Sequence, residues 1–332
     1  MEFPGEKLVI KLWETAAEKG IGGLFKPWQM RREGRVSIEL KREELLVIAQ
    51  AERDAELLRR GEQLPSSVIP RIAQDPAVSR ESGRILPLSL EQRANEELIS
   101  ETIRREVNIT RALLHAEDIL SDEPQLPPDE KVNDDWLFRW RDSAAQVSGE
   151  ELQNLWGRVL AGELKAPGSY SLRTLEFLKN LSQQEAEAIA KLSQFVIGGL
   201  IYRGQDKTLD KYGISVSFLL DMQQLGVISG VEAIGMTHTW KSIETSRFIQ
   251  SFISNSLALI ATADDPEKSI SMPTYMLTAI GRQVSSLGTF DTNVEYLEAV
   301  GEYLKSQGFV VKLAKYVRDT PTTIRYFDGR EL

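Results

Sequence analysis

The stretch 134–175, DDWLFRWRDSAAQVSGEELQNLWGRVLAGELKAPGSYSLRTL, constrains the fold of this chain more than any other. Its three tryptophans fall on two stripes of helical period, and each stripe is preceded by a side chain able to accept the first amides of a helix. Asn133 or Asp134 caps a helix that places Trp136, Trp140, Ala144 and Val147 on one face. Ser148 with Glu151 forms a capping box for a second helix, which buries Leu152, Leu155, Trp156, Val159 and Leu160. Pro167-Gly168 supplies a tight turn, and Leu172, Leu175 and Leu178 begin a third helix. Ser182 with Glu185 caps a fourth, carrying Ala186, Ile189, Leu192 and Phe195. On this pattern Trp136, Trp140 and Trp156 are structural core. Indole rings lining an open cleft together with His115, Glu151 and Glu163 would refute that expectation.

Upstream, Val9, Leu12, Trp13, Ala16 and Ala17 recur at helical spacing opposite Lys7, Lys11, Glu14 and Glu18, until GIGG breaks the pattern. Trp13, Phe25, Lys26, Trp28, Arg31, Arg32 and Arg35 form an aromatic and basic set suited to a membrane surface or a partner helix. From Pro27 to about Gly61 the composition predicts one long helix. Its Val36, Leu40, Val47, Ala51 and Leu58 make a heptad-like seam interrupted by Glu44 and Asp54. Residues 65–88 carry four prolines and read as a connection. Ser89 with Gln92 opens a second long helix to about residue 120, with Ile99, Ile103, Val107, Leu114 and Leu120 near one stripe, packed antiparallel to the first. The acidic, proline-rich 121–133 reads as a linker.

Beyond residue 200 the texture changes. DKYGISVSFLLDMQQLGVIS predicts a helix bearing Phe218, Leu219, Met222 and Leu225, stopped by Gly226 ahead of a strand. SLALIATAD and SISMPTYMLTAIGRQVSSL are strand-rich runs around DDPEK, read as a hairpin leading into a helix at Ala279. Helix, helix, hairpin resembles a winged-helix arrangement. A helix at 292–307 and strands near 309–317 and 322–327 complete the chain. The expected fold class is mainly α, divided into a 1–28 amphipathic segment, a 29–122 helical hairpin, a 134–199 helical bundle, a 200–290 winged-helix-like module and a 291–332 α+β extension.

Composition narrows the chemistry. No cysteine among 332 residues excludes disulfides and thiolate metal sites, and two histidines, His115 and His238, cannot make a His-based zinc site without carboxylates. The net charge of −9 argues against a general nucleic-acid coat. The opening MEFPGEKLVIKLW lacks a secretory pattern, and no apolar run is long enough to span a bilayer, so a cytoplasmic protein is expected, with peripheral inner-membrane contact as the alternative the N-terminal set allows. Gly20, Gly22 and Gly23 lack the Gly-Lys-Ser/Thr of a phosphate loop, and Gly198-Gly199 fails likewise. Glu151 has a capping task, Glu150 sits in a first helical turn, and no nucleophile is paired with a base. No catalytic, cofactor-binding or metal-binding residue is expected.

The segments EVNITRALLHAEDIL, DDWLFRWRDSAAQVSGEELQNLWGRVLAGELKAPGSYSLRTLEFLKNLS and, more weakly, LLDMQQLGVIS and YMLTAIGRQVSSL resemble a family of uncharacterised bacterial proteins known only as a domain of unknown function. A looser likeness is to Abi-alpha type abortive-infection proteins. The resemblance implies an association with phage defence and carries no reaction or site residues. The expectation is a non-enzymatic protein that binds a protein partner or itself as a homo-oligomer. The alternatives are a DNA-binding regulator acting through the 200–290 module, disfavoured because 215–225 has no Lys or Arg, and a membrane-surface effector.

Overall fold

The computed structural model describes residues 3–21, 90–232, 237–318 and 324–332, and three helical positions, Gln50, Arg53 and Leu57. The expected helix from Pro27, its heptad seam and the Ser89 cap lie outside the described residues. The chain divides into two compact units, Met1–Leu175 and Glu176–Leu332.

The first unit is helical. It contains α1 (Glu6–Glu18), α2 (Leu90–Ser121), α3 (Asp134–Ala144), α4 (Glu150–Lys165) and the start of α5 (Leu172–Asn180). The pairing of α2 with α4 dominates, and α1 packs on both. The apolar stripe of α1 is buried as Leu8, Val9, Leu12, Trp13 and Ala16. It meets Val107, Ile109, Ala112, Leu113, Ala116 and Leu120 of α2 in a core completed by Trp136, Trp140, Trp156, Val159, Leu160 and Leu164. Of the stripe expected on α2, Val107 and Leu120 are buried, Ile103 and Leu114 are half-buried and Ile99 is exposed, while Asn108 and Thr110 are buried as well.

The 122–133 segment is fastened to this unit and is not a free linker. Lys11 Nζ donates to the carbonyls of Pro128 and Glu130 at 2.6 and 2.8 Å. Lys165 pairs with Glu123 at 2.7 Å, and Gln125 donates to the Lys165 carbonyl.

The second unit mixes helices and strands. Its helices are α6 (Gln183–Ser193), α7 (Asp206–Lys211), α8 (Val216–Gln224), α9 (Ala279–Ser285) and α10 (Val294–Ser306). Its strands are β1 (Leu200–Tyr202), β2 (Ile228–Ser229), β3 (Thr237–Trp240), β4 (Phe248–Ser254), β5 (Leu257–Ala263), β6 (Ile270–Leu277), β7 (Val310–Arg318) and β8 (Ile324–Glu331). In one antiparallel sheet β6 pairs with β1, β2 and β3; the other has the order β4-β5-β7-β8.

The fold is therefore α+β and not mainly α: the described residues alone hold two four-stranded sheets in the second half of the chain. Three strands escaped the sequence reading for physical reasons. β1 is three residues long, β3 (THTW) is largely exposed and polar, and in β4 the buried Phe248 and Phe252 stand four apart, a spacing shared by helix and strand. The hairpin around DDPEK is also corrected. β5 pairs with β4 and β7 while β6 pairs elsewhere, so the two runs belong to different sheets.

Tyr296 of α10 bridges to β1 in the buried interior of this unit. Its hydroxyl accepts the Tyr202 amide at 2.6 Å and donates to the Tyr202 carbonyl at 3.1 Å. Satisfying both strand groups with one phenol removes two orphaned polar atoms from an apolar layer.

Helices α2 and α4 come close at Gly157. A Cβ there would stand 2.6 Å from the His115 Cβ and 3.0 Å from the Ala112 carbonyl oxygen and the Ala116 nitrogen. Because two of those atoms are backbone, a side chain can be accommodated only by separating α2 from α4. Gly157→Val is expected to cost about 1–3 kcal/mol of unfolding free energy in urea. Gly149→Ala meets nothing within 4 Å and is expected to cost no more than about 1 kcal/mol, as a poorer helix N-cap.

Candidate functional site

The tryptophan block folds around hydrogen bonds that the interior supplies. Asn133 caps α3 by accepting the Trp136 amide at 3.1 Å. Trp140 is fully buried and donates its indole N–H to the Trp156 carbonyl at 2.9 Å; Trp136 donates to the Tyr170 carbonyl at 2.7 Å. Both rings combine apolar burial with a satisfied polar tip, the condition for placing an indole in a core.

Two polar side chains that sequence reasoning did not single out are buried beside them. Asn108 Nδ2 donates to the Ala145 carbonyl at 2.9 Å, while Gln153 Nε2 reaches Asn108 Oδ1 at 3.3 Å and the Val147 carbonyl at 3.2 Å. The network fixes the turn between α3 and α4. It also corrects the α4 stripe: Gln153 points inward and Leu152 is exposed. The expected Ser148–Glu151 capping box is absent. The N-cap is Gly149, with no side-chain bond, whereas the Ser182–Glu185 box is complete in both directions. The signal for Gln153 was its position three residues before Trp156, on the buried side of the same helix.

Glu163 is 2% exposed and closes the Pro-Gly turn. Its carboxylate accepts the amides of Gly168 at 2.6 Å and Tyr170 at 3.0 Å. Burial pushes its carboxyl above the ordinary carboxylate range, against the opposing pull of these amides.

The surface counterpart is an open pocket of about 470 Å³ lined by His115, Glu150, Glu151, Asn154, Leu155 and Arg158. Glu151 and His115 thus share one pocket, but Glu163 is turned into the interior and the indole rings are buried. Asn154 Nδ2 lies 3.4 Å from His115 Nδ1, and an amide there orients the imidazole without acting as acid or base. The pocket has room for a small polar solute, and no Ser, Thr or Lys appears among its described lining residues. Among the described residues no three His, Asp or Glu side chains converge as a metal site.

Trp13, expected at a membrane or partner surface, is buried, and its indole donates to Glu117 at 3.1 Å. Phe25, Lys26, Trp28, Arg31, Arg32 and Arg35 lie outside the described residues. Among the described residues no helix is long and apolar enough to cross a membrane.

In the second unit the LTAIG sequence is a joint. Thr278 accepts the Gly281 amide at 3.0 Å as the cap of α9 and donates to the Gly226 carbonyl at 2.6 Å. A Cβ at Gly281 would collide with the Val227 carbonyl, so glycine lets α9 approach the turn after α8. On α8, Gln223 is engaged with Val231 and Glu232, and Val216, Ser217, Asp221 and Gln224 are exposed.

Residues 92–199, about a third of the chain, match the model of a family described as "Protein of unknown function (DUF2806)". No curated protein matches the chain, and no solved structure does. The match begins in α2 and includes Asn108, Gln153, Gly157, Glu163 and all three core tryptophans.

Glu163→Gln is expected to lower stability by about 1–3 kcal/mol, because the NH2 group that replaces one carboxyl oxygen cannot accept from Gly168 or Tyr170, whereas both oxygens of the carboxyl group keep acceptor capacity when it is neutral. The deficit should depend on pH. With the folded carboxyl raised, the stabilisation tied to its neutral form is complete below the unfolded value of about 4.3 and is lost as pH rises through the folded value. Urea titrations across that window should therefore show the largest deficit at low pH and a smaller one above it.

Proposed function

We propose that this chain works by presenting surfaces to protein partners, copies of itself among them, and performs no chemistry of its own. The observation that carries the reading is the outward face of α8. Val216 is 65% exposed and stands beside Ser217, Asp221 and Gln224, an apolar and weakly acidic face without Lys or Arg. Such a face suits a protein surface and is unsuited to a phosphate backbone.

The order α6-β1-α7-α8-β2-β6, with β6 between β1 and β2, supports a winged-helix reading of the module, extended by the inserted β4–β5 pair. The interior polar groups of the first unit support a non-catalytic role, since Asn108, Gln153 and Glu163 already serve the backbone. A place in antiphage defence rests on the Abi-alpha resemblance alone. The burial of Trp13 takes one ring away from the membrane-surface alternative.

Light scattering on the intact chain is expected to give at least two 37.4 kDa copies per particle. Duplex DNA should show no mobility shift even at low salt, where phosphate contacts are strongest. A strictly monomeric chain that retards DNA with a steep salt dependence would replace this reading with the DNA-binding alternative.

A further inference from the structure

Among the described residues the sheet β4-β5-β7-β8 ends on β8, and the edge shows what can complete it. Every residue from Arg325 to Glu331 is exposed, including Tyr326 and Phe327 at 45% each. An edge strand presents a row of main-chain donors and acceptors, and proteins usually blunt such an edge with short length, charge or a bulge. Here the bulge comes late. Asp328 has φ +51° and the β7–β8 register shifts between Leu313 and Lys315, so Ile324–Phe327 is the regular run.

We infer that β8 pairs antiparallel with β8 of a second copy, about a two-fold axis through Tyr326. The inference rests on the self-association reading above and names the surface. A two-fold normal to a sheet pairs residues of equal parity, because directly opposed side chains share a face. Centring on Tyr326 opposes that ring to its own copy, and sets Arg325 against Phe327 twice. Ring on ring and guanidinium on ring are favourable cross-strand pairs, and no like charges are opposed. Centring on Asp328 would instead oppose two carboxylates.

The apolar face agrees with this centre. Tyr326 is the register partner of Tyr316, and Ile324 shares its side of the strand. Tyr316 and Ile324 pack against the small cluster of Ala258, Ile260 and Ala314. A ring at the axis therefore extends an existing apolar patch from one copy to the next. The resulting interface is isologous and closes at two copies.

The chain contains no cysteine, so a single introduced thiol reports the axis directly. In Tyr326→Cys the two Cα atoms would stand about 4.5–5.5 Å apart, within disulfide reach. In Phe327→Cys the two thiols would be diagonal neighbours about 7–8 Å apart, outside it. Mild oxidation of the intact variants with oxidised glutathione, read on non-reducing gels, is expected to give roughly tenfold more covalent dimer from Tyr326→Cys. Tyr326→Lys, folded by circular dichroism, is expected to be monomeric by light scattering. A wild-type dimer with equal or negligible cross-linking of the two cysteine variants overturns pairing through β8 and leaves self-association to another surface. A wild-type monomer overturns both.

Discussion

The contact between α2 and α4 holds the first unit together, and it depends on backbone coming close to backbone. Gly157 faces Ala112, His115 and Ala116, and the small side chains there let the two helices approach until a single added carbon has nowhere to go. Close approach makes dispersion contacts dense but leaves little room for side chains to adapt. Its consequence is that α3, the turn before α4 and the Pro-Gly turn after it must be placed by directed hydrogen bonds. Asn108, Gln153 and Glu163 supply them, and each would be costly in a core without its backbone partners.

That division of labour accounts for the buried polar residues of the first unit. Buried amides, a buried carboxylate and indoles are the residue types that active sites use, yet here Asn108, Gln153, Glu163, Trp136 and Trp140 each bond a main-chain group. The exposed surface is chemically plainer: an open pocket with a histidine oriented by an amide, a helix face without cations, and a sheet edge bearing two aromatic rings.

The sequence displayed the helices of the first unit because strong local signals agreed with the packing. The cap at Asn133, the stripe through Trp136 and Trp140 and the box at Ser182 each involve residues within a turn of one another. It misplaced the start of α4 because Ser148-x-x-Glu151 has the letters of a capping box while the helix begins one residue later, at Glu150 after Gly149. It missed Gln153 because a buried polar residue is legible only when its partner is known, and Asn108 is 45 positions away. The mainly α expectation failed for a related reason. Sheet pairing such as β5 with β7 joins residues about fifty positions apart, and nothing in SLALIATAD says that its neighbour will be VVKLAKYVR and not the strand just beyond DDPEK. Of the candidate contact set only Trp13 falls among the described residues, and its stripe was visible while the side to which it would be buried was not.

The central claim is that the tryptophan block is interior filler held by main-chain hydrogen bonds. The solvent exchange of the indole N–H protons of the intact chain, followed by NMR, tests it most directly. Trp136 and Trp140, which donate to the carbonyls of Tyr170 and Trp156, should retain their protons after transfer to deuterated water for as long as the core amides of α4. Loss of both indole protons at the rate of a free side chain would mean that these rings face solvent, and would contradict the account.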